Sequence, residues 1–275
     1  MSWLKENWFK LFIALFLLAV LFWVVLYPDE PSESAKPGSD STSADYGCNV
    51  WGIELRGELV TYRLGGETEE EPVDQTSSEE IVNTIQEAES DPKVKAILLE
   101  VDSPGGSGVA AEEIANALKY STKPTVAQIR ESGVSAAYWS ATGAKTIFAS
   151  ANSDVGGIGV TMSYLQNVNQ NTQNGLEFIE LNTGKFKNAG DPNKPLTAEE
   201  RKLFQRDLDI MLDNFISDVA HNRSIPLEEV RKLADGSSML GTMALQNKLI
   251  DKIGGQTEVK RYLKEKIGED PEICW

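Results

Sequence analysis

The sequence predicts an α/β domain with a largely parallel sheet, and three observations support that class. Short apolar runs typical of buried strands alternate with segments of helical periodicity along most of the chain. Glycine-rich turns follow two of these runs, at Asp102–Gly106 and Gly156–Gly159. The chain of 275 residues contains no internal repeat and is long enough for one large domain. We therefore expect a single α/β domain.

Seven segments have the apolar content or the alternation expected of strands. The clearest is Lys95–Val101, whose apolar run AILL suits a strand buried in a parallel sheet. The first two are predicted to form a short pair across Arg56-Gly57. In chain order the predicted strands are Asn49–Leu55, Glu58–Arg63, Lys95–Val101, Thr125–Ile129, Lys145–Ala149, Thr161–Leu165 and Glu177–Leu181.

Helices are marked by capping boxes and by apolar residues at helical spacing. Ser77 precedes Glu80, and Thr197 precedes Glu200, by the three residues that a capping box requires. The second box begins the longest predicted helix. The predicted helices are Ser77–Glu89, Val109–Lys119, a short one around Ser135–Thr142, Thr197–Asn222, Pro226–Ala234, Gly241–Lys248 and Glu258–Ile267.

The first 46 residues are predicted to lie outside the folded domain, which covers 47–275. Leu11–Tyr27 has no charged residue and approaches the length of about 20 residues that spans a bilayer as a helix. Lysines precede it and acidic residues follow it, so the positive-inside rule places 1–10 in the cytoplasm and the domain outside. A cleaved signal peptide is the alternative, but no A-x-A-like site follows the apolar run. Pro28–Tyr46 is rich in Ser, Pro and Asp and is predicted to be a disordered tether.

Composition disfavours several classes of partner and site. The 26 Lys and Arg against 42 Asp and Glu give a net charge of −16, which argues against a nucleic-acid partner. One histidine and no C-x-x-C pair leave little basis for a metal centre, and we expect neither metal nor cofactor. Cys48 and Cys274 flank the domain. They form a disulfide if the domain lies in an oxidising compartment, or remain two thiols otherwise.

The stretch Arg130–Trp139 (RESGVSAAYW) contains the candidate nucleophile, Ser135. Small residues surround this serine, a predicted strand precedes it and a helix-compatible run follows it. A hydroxyl at a strand-to-helix turn can face a substrate beside the next backbone N–H, as a serine nucleophile requires. A tight turn that simply accommodates small residues is the alternative.

A serine nucleophile needs a base, and the sequence offers few. His221, the one histidine, falls on the longest predicted helix near its exposed face. The segment Gly184–Gly190 (GKFKNAG) offers Lys185 and Lys187 around an aromatic residue. A lysine accepts a proton near neutrality only when burial disfavours its charged form. Spacing does not distinguish the two lysines, and taken alone the segment favours the alternative that both are solvated loop charges.

The turn Ser103-Pro104-Gly105-Gly106 follows the predicted strand Lys95–Val101. Proline fixes φ, and paired glycines allow backbone N–H groups to face a ligand. Such a turn can serve as an anion cradle or as an oxyanion hole. The phosphate-binding motifs GxGxxG and GxxxxGK[ST] are absent from it.

Four blocks in this order resemble the signal peptide peptidase A family of serine proteases. They are S-P-G-G at Ser103, S-x-x-Y-W at Ser135, G-G-I-G-V at Gly156 and G-K-F-K-N-A-G-D-P at Gly184. The resemblance covers about residues 49–265 and extends to SohB-type peptidases and phage minor capsid proteases. It implies a ClpP/crotonase-like fold and an inner or plasma membrane protein with its catalytic domain on the periplasmic side. It also implies ring- or dome-shaped homo-oligomers that cleave peptides.

The resemblance further implies a Ser/Lys dyad. The family's nucleophile matches Ser135, and its general base, the second lysine of its block, matches Lys187. The implied oxyanion donors are backbone N–H groups of Gly105, Gly106 and Ala136. In family members that are short and have a single repeat, the dyad is completed between neighbouring subunits. The resemblance implies such a shared dyad here.

The chain departs from the family pattern at three positions. Ala136 and Ala137 replace two glycines after the nucleophile. Gly157 replaces a serine that hydrogen-bonds the catalytic lysine in the family, and a water, Ser153 or Thr161 would have to take over that role. These departures motivate a second hypothesis, a catalytically weak scaffold or binding protein.

A third hypothesis is a crotonase-like acyl-CoA enzyme on the related fold. The predicted anchor and the placement outside the cytoplasm count against it, because CoA chemistry is cytoplasmic. The leading hypothesis is therefore a membrane-anchored endopeptidase that cleaves signal peptides or other membrane-derived peptides.

Overall fold

The computed structural model describes residues 47–63 and 74–275, which fold around one largely parallel sheet. Within these residues the sheet has nine strands, six of them in the order β2-β1-β3-β4-β5-β8. β6 pairs with the end of β4, β7 is antiparallel to β6, and β9 lies beside β1. The strands are β1 Val50–Val60, β2 Gln75–Ser77, β3 Ala96–Gly106, β4 Thr125–Val134, β5 Thr146–Ala149, β6 Asp154–Gly156, β7 Ser238–Leu240, β8 Lys252–Ile253 and β9 Ile273–Cys274.

Helices cover both faces of the sheet, and the described part of the chain therefore has the predicted α/β class. Each predicted helix is present to within a few residues, and a short helix, α4, was not predicted. The helices are α1 Ser78–Ser90, α2 Gly108–Tyr120, α3 Ala136–Thr142, α4 Val168–Gln173, α5 Ala198–Arg223, α6 Leu227–Leu233, α7 Gly241–Gln246 and α8 Gln256–Ile267.

Alternation along β3 divides the core into two clusters. Ile97, Leu99 and Val101 belong to the larger cluster with α1, α2, α3 and α5, whereas Leu98 belongs to a smaller one under α8. Successive strand residues point to opposite faces, so a strand covered on both faces is apolar at consecutive positions. The run AILL therefore follows from burial on both sides, as predicted.

The predicted strand pair across Arg56-Gly57 is wrong, because β1 continues through these residues as one strand. Gly57 has a φ of +64°, and the register with β3 shifts between Arg56 and Glu58. An ideal Cβ on Gly57 would lie 1.9 Å from the Asp74 carbonyl oxygen. The glycine therefore permits a bulge in β1 where the backbone of Asp74, just before β2, approaches it. From the sequence this glycine suggested a turn.

The predicted strands Thr161–Leu165 and Glu177–Leu181 are also wrong. Outside α4, the connecting segment (residues 161–196) contains turns and irregular structure. Its alternating apolar residues are exposed: Leu165 by 86%, Ile179 by 74% and Leu181 by 91%. The strand-like pattern is present, but its apolar side chains do not enter the core of this chain.

A disulfide joins the two ends of the described chain. Cys48 and Cys274 are bonded, with their Cα atoms 5.8 Å apart. β9, which contains Cys274, pairs with Val50 and Trp51 of β1. Of the two predicted alternatives for the cysteines, the disulfide is therefore the one observed.

The predictions for residues 1–46, including the membrane anchor Leu11–Tyr27, lie outside the described residues. Among the residues that the structure describes, none of the helices has the length and apolar character needed to span a membrane.

Candidate active site

Ser135 lies at the junction between β4 and α3, as the sequence predicted. Its backbone has φ +55° and ψ −130°, a conformation that favours glycine. Its N–H donates to the Gly156 carbonyl at 2.8 Å, and its carbonyl accepts from the Trp139 N–H at 3.0 Å. Strain of this kind costs about 1–3 kcal/mol and persists where the surrounding structure enforces it. The sheet and the helix therefore hold the half-buried Ser135 in an unfavourable conformation.

Replacing Ser135 with glycine is expected to increase the free energy of unfolding by about 1 kcal/mol, because glycine adopts this conformation without strain. Part of the gain is offset by the greater conformational entropy of glycine in the unfolded chain. Chemical denaturation of the full-length protein measures the difference. Ser224→Gly is the matched control, since Ser224 has φ +53° at the C-cap of α5, in the milder left-handed helical region. A Ser135→Gly variant less stable than wild type would show that this strain is not present.

Gly105 packs directly against Ser135. An ideal Cβ on Gly105 would lie 2.7 Å from the Ser135 Cβ and 3.0 Å from the Ala136 nitrogen, and its φ is +105°. The Gly105 N–H donates to the Ser103 hydroxyl oxygen at 3.1 Å, and that hydroxyl donates to the Gly57 carbonyl at 2.6 Å. Glycine is therefore required at position 105 by both space and conformation.

The three predicted oxyanion donors lie close to Ser135 but differ in their surroundings. Ala136 is the first residue of α3, so its N–H has no acceptor within the helix. Gly106 lines the same cleft as Ser135 and Ala136, whereas the N–H of Gly105 is already bonded to Ser103. The geometry therefore favours Ala136, with Gly106 beside it, for contact with an anionic oxygen.

A cleft of about 760 Å³ opens beside Ser135. We call it the Ser135 cleft. One wall is apolar and is built around Trp139, whose ring stacks on Phe215 with 4.6 Å between centroids. The indole N–H of Trp139 donates to Asp218 at 2.9 Å, which fixes the ring. The lining also contains Gly157, Gly159, Val160, Thr161, Ala234, Asp235, Gly236 and Ser238. Such a cleft can hold an extended peptide with an apolar side chain against the Trp139 wall.

The two candidate lysines lie in the turn at Gly184–Gly190, outside the lining of the Ser135 cleft. Lys185 forms an exposed ion pair with Glu199 at 2.7 Å and lies over the Phe186 ring. Lys187 is exposed, and its backbone N–H donates to the Gly184 carbonyl at 3.0 Å. Within one chain the structure does not bring Lys187 into the cleft with Ser135. His221 is exposed near the end of α5 and does not line the cleft.

The position where the family pattern has serine is occupied by a glycine in a left-handed conformation. Gly157 has φ +59°, and an ideal Cβ there would lie 3.2 Å from Val134 and 3.3 Å from the Ser135 nitrogen. Ser153 cannot take over the missing hydroxyl's role, because it is buried, donates to the Arg130 carbonyl and accepts from the Ser150 N–H. Thr161 does line the cleft. Of the two protein hydroxyls considered from the sequence, only Thr161 is therefore available.

Sequence reasoning missed the residues that shape the cleft away from Ser135. Phe215 and Met211 come from the middle of α5, and Asp235 follows α6. The apolar face of α5 was visible in the sequence, but nothing in its spacing distinguishes residues that line a cleft from those that fill a core. Their role depends on how distant helices meet.

Comparisons with known proteins identify the fold and the family of the chain. The model of peptidase family S49 matches residues 117–269, and the Clp protease model matches residues 68–154. A solved structure described as a membrane-bound stomatin-specific protease, 1510-N, aligns over 78% of this chain and 84% of its own, with a TM-score of 0.52 and 17% identity. The described chain thus has a ClpP-like α/β fold.

Several curated relatives are named as proteases or putative proteases. A putative protease of Methanocaldococcus jannaschii is 30% identical over 70% of this chain and 63% of its own length. A putative signal peptide peptidase SppA of Enterococcus faecium is 27% identical over 95% of this chain and 81% of its own. Protease 4 of Haemophilus influenzae is 28% identical over 80% of this chain, which spans 34% of that protein. Because the S49 match covers more than half of the sequence, the chain belongs to peptidase family S49.

Proposed function

We propose that this chain is a membrane-anchored serine endopeptidase with Ser135 as nucleophile and Lys187 as general base. Its proposed substrates are signal peptides or other membrane-derived peptides. The observation that carries the proposal is the strained Ser135 at the edge of an apolar cleft, next to the unpaired helical N–H of Ala136. Strained residues that face a cleft are typical of nucleophiles.

In the proposed mechanism the Ser135 hydroxyl oxygen attacks the scissile carbonyl carbon while its proton passes to the neutral amine of Lys187. The carbonyl oxygen becomes an oxyanion that accepts from the N–H groups of Ala136 and Gly106. The C–N bond then breaks, and Lys187 returns the proton to the leaving amine. Water, deprotonated by Lys187, hydrolyses the acyl-enzyme and regenerates Ser135.

We propose that a neighbouring subunit supplies Lys187. Two observations support this: Lys187 is outside the cleft of its own chain, and the connecting segment that carries it exposes many apolar side chains. Packing of this segment against a second copy would cover that surface and bury the amine, which favours its neutral form. A heterologous contact forms a ring when its rotation closes, and we propose a closed ring or dome here. The exposed apolar and aromatic residues of the segment are Met162, Tyr164, Leu165, Leu176, Phe178, Ile179, Leu181 and Phe186.

The proposed location is the inner or plasma membrane, with residues 1–10 in the cytoplasm and the domain on the periplasmic side. The Cys48–Cys274 disulfide supports an oxidising compartment, where such bonds persist. The uncharged segment Leu11–Tyr27 supports the anchor.

The test is cleavage of an unfolded protein and of a synthetic signal peptide by the full-length protein. We expect internal cleavage of both by wild type and none by Ser135→Ala. The second candidate function, a catalytically weak scaffold, is favoured by one observation, the glycine at position 157. If the assembled wild-type protein cleaves neither substrate, the endopeptidase proposal fails and the scaffold is the better account.

A further inference from the structure

The Ser135 cleft contains a single charged side chain among its described lining residues, the carboxylate of Asp235. The rest of the lining is apolar, glycine or hydroxyl-bearing. Asp235 follows α6, and its Oδ1 accepts from the Ser237 hydroxyl at 2.6 Å and from the Ser237 N–H at 2.9 Å. The Ser237 hydroxyl and then the Ser237 N–H lower the pKa of Asp235, so the carboxylate is charged at neutral pH. Among the described residues, no Lys or Arg forms an ion pair with it.

Backbone contacts connect the loop that carries Asp235 to the strand beside Ser135. The Gly236 N–H, next to Asp235, donates to the Ile158 carbonyl at 3.0 Å. Three residues after Asp235, Ser238 pairs with Gly156, whose carbonyl accepts the Ser135 N–H. Paired strands lie about 4.8 Å apart, which is the spacing between Ser238 and Gly156. The three residues from Asp235 to Ser238 span at most about 11 Å. Asp235 is therefore within reach of a substrate side chain a few residues from the bond that Ser135 would attack.

We propose that Asp235 makes the cleft selective for peptides with a lysine or arginine a few residues from the scissile bond. This inference rests on the proposed function and specifies its substrate class. The lining favours two kinds of substrate side chain, because the surface around Trp139 accepts an apolar group and the Asp235 carboxylate attracts a cation. A peptide in which a basic residue adjoins an apolar run satisfies both. The junction between the basic n-region and the apolar h-region of a signal peptide has this composition.

The expected preference is modest and salt-dependent, because Asp235 is exposed at the cleft edge. An exposed charge pair of this kind changes affinity by about three- to fivefold at low salt and by less at high salt. The increase in affinity should be confined to a basic residue at one or two adjacent substrate positions, since only a side chain near Asp235 can interact with its carboxylate.

The test is a binding measurement that does not depend on catalysis. The full-length protein with Ser135→Ala is titrated into fluorescent apolar peptides that carry either arginine or its neutral analogue citrulline at successive positions. We expect tighter binding of the arginine peptide at one or two adjacent positions. Adding Asp235→Asn should remove the preference, because asparagine keeps the acceptor for Ser237 but not the charge. Adding Glu228→Gln, which removes an exposed charge on α6 outside the cleft, should leave it unchanged.

Equal or unmeasurable affinities for the two peptides at every position would overturn this inference, as would a preference that survives Asp235→Asn. A preference that is also lost with Glu228→Gln would show that net charge, and not Asp235, produces it. If the preference is present but wild type cleaves no peptide, the endopeptidase proposal fails while the assignment of Asp235 stands.

Discussion

Replacing Lys187 with alanine is expected to reduce peptide cleavage by about 10²- to 10⁴-fold, the contribution typical of a general base. Lys187 is exposed within its own chain, so the substitution should leave the fold of the subunit intact. Lys185→Ala is the matched control two residues away. It removes the exposed ion pair with Glu199 and the contact with the Phe186 ring, both outside the cleft, and should change the rate little. Initial rates on one quenched fluorescent peptide provide the comparison.

Mixing inactive subunits tests whether the lysine comes from a neighbour. Ser135→Ala subunits retain Lys187, and Lys187→Ala subunits retain Ser135. When the two variants are co-expressed at equal levels, the mixture should recover about a quarter of wild-type activity. In a heterologous ring of randomly mixed subunits, a quarter of the contacts join an intact Ser135 to an intact Lys187 of the neighbour. If Lys187 served the Ser135 of its own chain, every mixture would be inactive. Unchanged cleavage by Lys187→Ala alone would exclude it as the base.

Gly105→Ala is the second substitution with a large expected effect. The new methyl group would meet the Ser135 Cβ at 2.7 Å and the Ala136 nitrogen at 3.0 Å, in a backbone with φ +105°. We expect a loss of about 2–3 kcal/mol in the free energy of unfolding. Displacement of Ser135 and Ala136 should also lower kcat by about 10²- to 10³-fold, the cost of disrupting an oxyanion site.

The control for this substitution is Gly268→Ala. Gly268 also has a positive φ, +80°, at the C-cap of α8, but an added Cβ would meet nothing within 4 Å. The control should therefore lose only about 1 kcal/mol from backbone strain and keep its activity. If both variants lose the same stability and neither loses activity, the contact between Gly105 and Ser135 has no part in the site.

The sequence predicted well those features that local physics determines. The alternation of apolar strands and helices gave the α/β class, because the central strands β1, β3, β4 and β5 contribute buried residues to the core on both faces of the sheet. Capping at Thr197 and Glu200 gave the start of α5 within one residue. Small residues near Ser135 indicated the strand-to-helix turn, and Gly105 at the end of β3 has no room for a side chain beside Ser135.

Other features depend on contacts that no local pattern encodes. Gly57 was interpreted as a turn, and only the approach of Asp74 shows that the glycine permits a bulge. The alternation in Glu177–Leu181 suggested a strand, but its apolar residues face outward from this chain. The choice of Lys187 over Lys185 came from the family resemblance and stays a prediction. Asp235 joins the cleft through the pairing of β6 with β7, two strands of three residues each.

The most direct measurement of the central claim is covalent labelling of Ser135. The full-length protein is treated with a fluorophosphonate, which reacts with activated serine nucleophiles, and the modified residue is identified by peptide mass spectrometry. We predict a single adduct on Ser135, absent after Ser135→Ala and formed much more slowly after Lys187→Ala. Labelling of another serine, or no labelling of Ser135 in an assembled wild-type protein, would contradict the assignment of Ser135 as the nucleophile.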